Sequence, residues 1–490
     1  MKRFTMFGAF FIVILIAGSV FASGVALTGI GARATALGGN YRAIANDWSA
    51  MFWNPAGLTQ IQGFHAGLSF ELIMPSAKYT FAQSQNVLPF GIFRTGEIEN
   101  EPKTFPVPAV GFVYGIGKMS FGLAVFAPFG LGAEWEVMDA SAYNSDYPDT
   151  EFEDDLEVID IHPTFAYQLT DKLSVGAGFS FVLSNILIRK PTLTPNPLLA
   201  DPAYAPLKQA LLTPMGLAAS TYDYILTDTK LKGDGTGVGA NFGIKYNLTE
   251  DLAIGLSGNW YNDVSLDGKI TASTYYAKVD PTIFATLQGN INAMVQGGML
   301  TAAQAQQILG VYSGIKQVKY DNEKGDATLP LPMTLGGGLA YTGINNLLIS
   351  ADVSWTQWSA WDVIPVDLED GTKMELVEDW KDGVRFGVGL EYKLMDPLTL
   401  RAGYYTEPTA VPDQTLTISI PDISRRHSIS VGASYMLGPL NLFASYEKIL
   451  IGDRTIASWD YNAQAQGFDN MAGTYKMKVD NAMLGVGYHF

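Results

Sequence analysis

The chain has 490 residues, with 31 Lys or Arg against 48 Asp or Glu, a net charge of −17 and no cysteine. The acidic balance and the lack of a basic patch exclude nucleic acid as a partner, and no disulfide can hold the fold. Hydrophobic residues make up 48% and aromatics 12% of the chain, yet beyond the N-terminus no apolar run reaches the ~18 residues of a transmembrane helix.

Lys2 and Arg3 precede an apolar run from Phe7 to Phe21, followed by Ala22 and Ser23. The run is short for a span and reads as a secretory signal peptide over 1–22, with Ser23 the first mature residue. From Ser23 to about Ile61 the chain is rich in Gly and Ala and lacks strand alternation. Such a compact, irregular segment ahead of a barrel has only the bore to pack in, so residues 23–61 are expected as a plug.

From there the recurring signal is alternation with period two, about ten residues at a time. Val238, Ala240, Phe242, Ile244 and Tyr246 alternate with Gly237, Gly239, Asn241, Gly243 and Lys245. Ala482, Leu484, Val486, Tyr488 and Phe490 form one face of the last strand. In a barrel the apolar face meets lipid and the small or polar face lines the lumen.

Six short connections separate these runs, near Gly117, Asp171, Thr249, Asn345, Asp396 and Gly438, and longer polar connections alternate with them. Short turns on one side and long loops on the other mark an outer-membrane barrel. The spans are 64–74, 104–115, 118–128, 156–169, 172–186, 235–247, 251–265, 328–342, 346–358, 381–394, 397–406, 426–437, 440–450 and 476–490. The expectation is an all-β membrane barrel over 62–490, fourteen antiparallel transmembrane strands with both ends periplasmic.

Two long loops, about 190–232 and 275–325, carry apolar residues at helical spacing. Thr301 with Gln304 reads as a capping box opening a helix. Leu207, Leu211, Ile283, Leu287, Met294 and Leu309 either pack these helices together as a lid or line an exposed groove for a hydrophobic ligand. The acidic stretch from Glu134 to Glu157 is a solvated loop, or a site where divalent cations bridge to anionic lipopolysaccharide.

The four histidines, His65, His162, His427 and His489, lie beside no recognisable nucleophile motif. Gly233 to Gly237 lacks the Lys-Ser/Thr ending of a phosphate loop. No cofactor or metal is expected. A barrel enzyme, such as an outer-membrane lipase, and a general diffusion porin remain as alternatives. The plug-like segment and greasy loops argue against the porin.

Gly31 to Gly39, and Ala45 to Leu58 with Asn54, Pro55 and Ala56 at its centre, resemble the N-terminal hatch of the FadL family of outer-membrane transporters. Asp352 to Ser359 resembles its tryptophan-bearing strand. Pro421, Asp422, Arg425 and Arg426, followed by Ser428 to Tyr435, resemble its late Pro-Asp-Arg stretch. The resemblance covers nearly the whole mature chain and implies fourteen strands, a hatch plugging the lumen and helical extracellular loops. It implies carriage of long-chain fatty acids or aromatic hydrocarbons, with capture at the loops, passage to a lumen pocket, a hatch shift and exit through a gap at a kinked third strand. Pro128, Phe129 and Gly130 are candidates for that gap, since Pro128 cannot donate to the ladder; alternatively Pro128 ends the strand at the membrane surface. A carboxylate ligand would favour a lumen cation, and alternation turns Lys245, Arg385 and Arg401 inward, where Glu391 could equally pair with one. Expected partners are a hydrophobic ligand, outer-membrane lipid and lipopolysaccharide. Phe490 resembles the end signal read by barrel-assembly machinery.

Overall fold

A computed structural model describes residues 24–27, 29–82, 91–420, 422–458, 461–462, 467–468 and 470–489. The signal peptide, Ser23, Pro421 and Phe490 lie outside the described residues. Fourteen antiparallel strands make the ring: β1 (Gly63–Phe81), β2 (Phe105–Ile116), β3 (Met119–Trp135), β4 (Phe152–Gln168), β5 (Leu173–Pro195), β6 (Tyr224–Asn247), β7 (Leu252–Tyr261), β8 (Thr334–Ile344), β9 (Leu347–Thr356), β10 (Gly383–Met395), β11 (Leu398–Glu407), β12 (Arg426–Leu437), β13 (Leu440–Ile451) and β14 (Gly473–His489). β14 pairs back onto β1 from His65↔His489 to Phe81↔Gly473. The expected fourteen-stranded closed barrel is therefore found, and closure leaves no edge along the spanning segment unless a ladder is interrupted.

Alternation decides what each face meets. Phe112, Phe121, Phe165, Phe179, Phe242, Phe386, Ile429 and Leu484 point outward and are exposed, a band that suits acyl chains. Ser120, Ser174, Asn241, Ser257, Ser350 and Ser430 point inward and are buried. No helix among the described residues is long and apolar enough to cross a membrane. Gly117 and Gly438 take φ values of 59° and 61° in two of the tight turns, a left-handed backbone that costs glycine little.

Several strands outrun their expected ends on the long-loop side. β3 continues through Pro128 to Trp135, so Pro128 does not end it. β5 runs to Pro195 and β6 begins at Tyr224, leaving 196–223 as the first helical loop. β7 stops at Tyr261 and β8 starts at Thr334, but a hairpin of Val264–Tyr275 with Lys316–Leu329 prolongs both. Above the membrane band the alternation persists with charged residues outside. Asp234, Asp267, Asp326 and Asp367 stand directly opposite one another across four strands. Two residues further out, Lys232, Lys269 and Lys324 do the same. Like charges so placed repel, and both rows face outward into a groove of about 1200 Å³.

The buried apolar residues fall into two main groups. One surrounds residues 30–61, whose short helices are α1 (Ala32–Ala36) and α2 (Ala50–Trp53): Ile30, Leu37, Tyr41, Met51, Trp53 and Leu58 pack with Val113, Phe126 and Ala166 of the wall. The other runs from Val25, Leu27 and Phe129 up to the loop helices α3 (Pro281–Gln296) and α4 (Ala302–Val311). The Thr301–Gln304 capping box forms at the start of α4.

Candidate functional site

Residues 29–61 are held in the bore by contacts that their sequence places in order. Asn54 is extended, and its side chain accepts from the Ala56 amide at 3.2 Å while Nδ2 donates to the carbonyls of Arg42 (2.7 Å) and Ile244 (3.1 Å). Pro55 then opens a 3₁₀ turn over Pro55–Gln60, where its lost N–H would have had no partner. The triplet lies against Gly176 of β5 and Gly243 of β6. A Cβ on Gly243 would sit 2.1 Å from Asn54 Oδ1, so only glycine lets backbone and wall approach this closely.

Charge fastens the segment on the opposite side. Arg33 donates bidentately to Glu391 of β10 at 2.7 and 2.9 Å, and Arg401 of β11 reaches the same carboxylate at 2.6 Å. Asp352 of β9 accepts from the Tyr41 and Arg42 amides at 3.1 Å and faces the Arg42 guanidinium at 3.4 Å. Removing one partner of such a buried pair strands the other charge.

The inward cations predicted from alternation are indeed buried or half-buried on the lumen side, but the two arginines are engaged structurally. Arg401 pairs with Glu391, and Arg385 donates to the Gly38 carbonyl at 2.5 Å and lies over the Tyr405 ring at 3.5 Å. Lys245 is buried on the inner face of β6.

The third strand carries an interruption. Pairing of β2 with β3 runs only from Ile116↔Met119 to Val110↔Val125. A register shift between Phe126 and Phe129 marks a bulge at Ala127 and Pro128. From Phe126 to Ala133 every residue of β3 is buried, so the strand has turned off the outer surface. Main-chain bonding between the two sides resumes where the Glu101 amide donates to the Glu134 carbonyl, beside the Lys103–Glu134 ion pair. The slit spans roughly 25 Å at ~3.3 Å per residue.

Its lips explain it. Pro106 and Pro108 on β2 share one alternate set of positions, and the β1–β2 ladder is continuous from Phe105 to Gly115. The missing donors therefore fall on the edge toward β3, and Pro128 faces them across the slit. Pro106 and Pro108 went unnoticed in the sequence, although a Phe-Pro-Val-Pro run inside an apolar strand is the signal that would have found them.

The N-terminal residues lie in this slit. Leu27 donates to the Pro128 carbonyl at 2.9 Å, and Gly130 donates to the Val25 carbonyl at 2.8 Å, making an antiparallel bridge of Ala26 with Phe129. Gly24, one residue earlier, donates to buried Asp422 at 3.3 Å and packs against the Trp358 ring. The residues predicted at 128–130, 352–359 and 422 thus meet the chain's first described residues, a convergence that spacing alone did not reveal.

The loop residues form a lid rather than an open groove. Leu207 and Leu287 are shut inside the core, with Leu211, Met294 and Leu309 packed against it, and of the six candidates only Ile283 is exposed. Tyr312 donates to the Leu217 carbonyl at 2.6 Å, and Tyr204 donates to Gln307 at 3.0 Å, so the two loops interlock. The expectation of an exposed apolar groove is corrected for Leu207 and Leu287: helices this apolar bury their faces on each other when no ligand separates them.

A family model described as "Outer membrane protein transport protein (OMPP1/FadL/TodX)" matches residues 13–490. The long-chain fatty acid transport protein of Salmonella typhi is 26% identical over 81% of this chain and 83% of its own length. A Pseudomonas aeruginosa FadL homologue superposes with a TM-score of 0.69 at 18% identity, over 95% of this chain and 99% of that one. The P. putida toluene transporter TodX gives a TM-score of 0.64 at 18% identity, over 95% and 99%. At such identities the structures show the shared fold. A slit-bearing barrel with a filled bore, matched by the family model over nearly its whole length, is a bacterial outer-membrane transport protein: the chain belongs to the OMPP1/FadL/TodX family.

Proposed function

We propose that this protein carries hydrophobic small molecules, long-chain fatty acids or related lipophilic compounds, passively across the outer membrane. A ligand parts the interlocked loop helices, enters the lumen above residues 29–61 and leaves sideways between β2 and β3. Residues 23–61 act as the hatch of a barrel over 62–490, and the part that moves is the short stretch Val25–Leu27. The single observation carrying this reading is the pair of backbone bonds that seats Val25–Leu27 in a slit whose lips lack donors at Pro106, Pro108 and Pro128. Two hydrogen bonds are a modest hold, whereas Arg33 and Arg42 pin the rest of the segment through ion pairs, half-buried to Glu391 and buried to Asp352.

The relatives' names support the ligand class: long-chain fatty acid in one branch, toluene in another. An enzymatic role is not proposed. His162 meets Ser180 and Asp160 through the same ring nitrogen, whereas a nucleophilic triad needs one nitrogen for each. The lysine row at the outer rim suits the anionic headgroups of lipopolysaccharide, with divalent cations offsetting the aspartate row beneath it. Barrel-assembly machinery is proposed to read the C-terminal strand.

The test is a staple. Ala26 and Phe129 are a bridge pair flanked by both hydrogen bonds, with Cα atoms ~4.5 Å apart in such geometry, within disulfide reach. The chain has no cysteine to interfere. Oxidised Ala26→Cys/Phe129→Cys protein should lose most fatty-acid and toluene uptake and regain it on reduction. Full uptake by the cross-linked protein would rule the route out.

A further inference from the structure

Beside the slit, five polar side chains from four consecutive strands converge on the lumen wall: Asp160 and His162 of β4, Ser180 of β5, Asn241 of β6 and Tyr261 of β7. All are buried, Asp160 completely. They border the slit directly. The His162 ring lies 5.5 Å from that of Phe126, and the Tyr261 ring lies 5.6 Å from that of Phe129.

Their hydrogen bonds run in one direction. Ser180 Oγ donates to Asp160 Oδ2 at 2.8 Å, and the Tyr261 hydroxyl donates to the same oxygen at 3.2 Å. With the single hydroxyl proton of Ser180 committed to Asp160, His162 Nδ1, 3.0 Å from Ser180 Oγ, must be the donor in that contact. In the neutral ring Nε2 is then an acceptor. Asn241 spends Nδ2 on the Met51 carbonyl at 2.5 Å, which orients its amide and leaves Oδ1 on the other side.

Three acceptors remain without a partner: His162 Nε2, Asn241 Oδ1 and Asp160 Oδ1. Two of them meet over Gly178, where an added Cβ would sit 2.2 Å from Nε2 and 2.6 Å from Oδ1. Buried polar atoms are almost always paired, and the two that meet over Gly178 are placed to share the single proton of one hydroxyl from outside the protein.

We propose that this cluster holds the O–H end of a ligand that is otherwise apolar: a long-chain alcohol, an alkylphenol or a carboxylic acid in its protonated form. The apolar part would lie along Phe126 and Phe129 toward the slit. An ionised carboxylate is turned away, because it would set its own negative oxygens against these acceptors, one of which belongs to the Asp160 carboxylate itself. The assignment rests on the transport reading above and narrows its ligand class.

The experiment compares dodecanol, dodecane and dodecanoate at about pH 8, where the acid is ionised, binding to the full mature protein in nanodiscs. Dodecanol should bind about tenfold more tightly than dodecane, the worth of one or two added hydrogen bonds, and dodecanoate no more tightly than dodecane. His162→Phe and, independently, Asn241→Leu should bring dodecanol down to the level of dodecane while dodecane binding stays unchanged, which also reports that the barrel is folded. Equal binding of dodecanol and dodecane by the unaltered protein, from a site that holds water alone, overturns the assignment. So does tightest binding of dodecanoate. Binding of none of the three overturns the transport reading, and the assignment with it.

Discussion

The amide of Leu27 donates to the carbonyl of Pro128 across 2.9 Å, joining the first described residues of the chain to the kink of its third strand. The contact lies in the backbone, so its strength depends on an N–H rather than on a side chain. Leu27→Pro removes that donor and should loosen the seal, raising the sensitivity of cells to hydrophobic antibiotics several-fold. Leu27→Val keeps the donor and should leave sensitivity unchanged. Equal sensitivity of the two variants would show that the bond seals nothing.

Pro106 and Pro108 deny donors to the upper edge of β2. Pro106→Val/Pro108→Val restores two N–H groups facing β3. The expected outcome is slower uptake with a thermal unfolding temperature unchanged or higher, read by heat-dependent gel mobility. Unchanged uptake would show that something other than the missing donors keeps the strands apart.

Arg42 and Asp352 are both buried, and Asp352 also holds two amides of the plug segment. Arg42→Met leaves that carboxylate facing the lumen without its countercharge, a cost of ~3–5 kcal/mol for a buried pair. Planar-bilayer recordings should then show intermittent opening of the bore, against a silent wild type. Arg42→Met/Asp352→Leu should recover much of the closure. A silent Arg42→Met variant would refute the pinning role.

At the extracellular end, burial pushes the Glu151 carboxyl up to about 8, against the pull of the Val137 amide that donates to it at 2.6 Å. The folded protein thus keeps a proton that the unfolded chain releases near ~4.3. Stability from this group is full below that value and is lost as pH rises through about 8. Hydrogen exchange in residues 134–151, corrected for its intrinsic pH dependence, should quicken from pH 5 to 8. Glu151→Gln should flatten the trend; an identical slope in both proteins would dismiss Glu151 as its source.

The membrane-embedded parts were the most legible in the sequence. The span 426–437 coincides with β12, because Ile429 and Val431 alternate outward with Ser428 and Ser430 inward, a pattern that lipid on one side and lumen on the other enforces. The upper strands were read short, since Lys230 to Asp234 alternates charge with Leu231 and Gly233, and charge outside the bilayer looks like loop. Arg401 was legible in position and in role, since Glu391 stands opposite it on the neighbouring strand; Arg385 was legible only in position, because its partner Gly38 comes from a distant part of the chain. The occupant of the slit was invisible for the same reason: Val25 and Gly130 meet through main-chain atoms that every sequence possesses.

The two prolines on β2 carry one more consequence. Neighbouring strands normally anneal because each offers donors to the other, and here one side has had them chemically deleted. The aperture is therefore written into the covalent make-up of one strand and reinforced by the bulge at Ala127 and Pro128 on the other. Heat, lipid pressure or an empty bore cannot mend it, so selection can act only on whatever stands in the doorway.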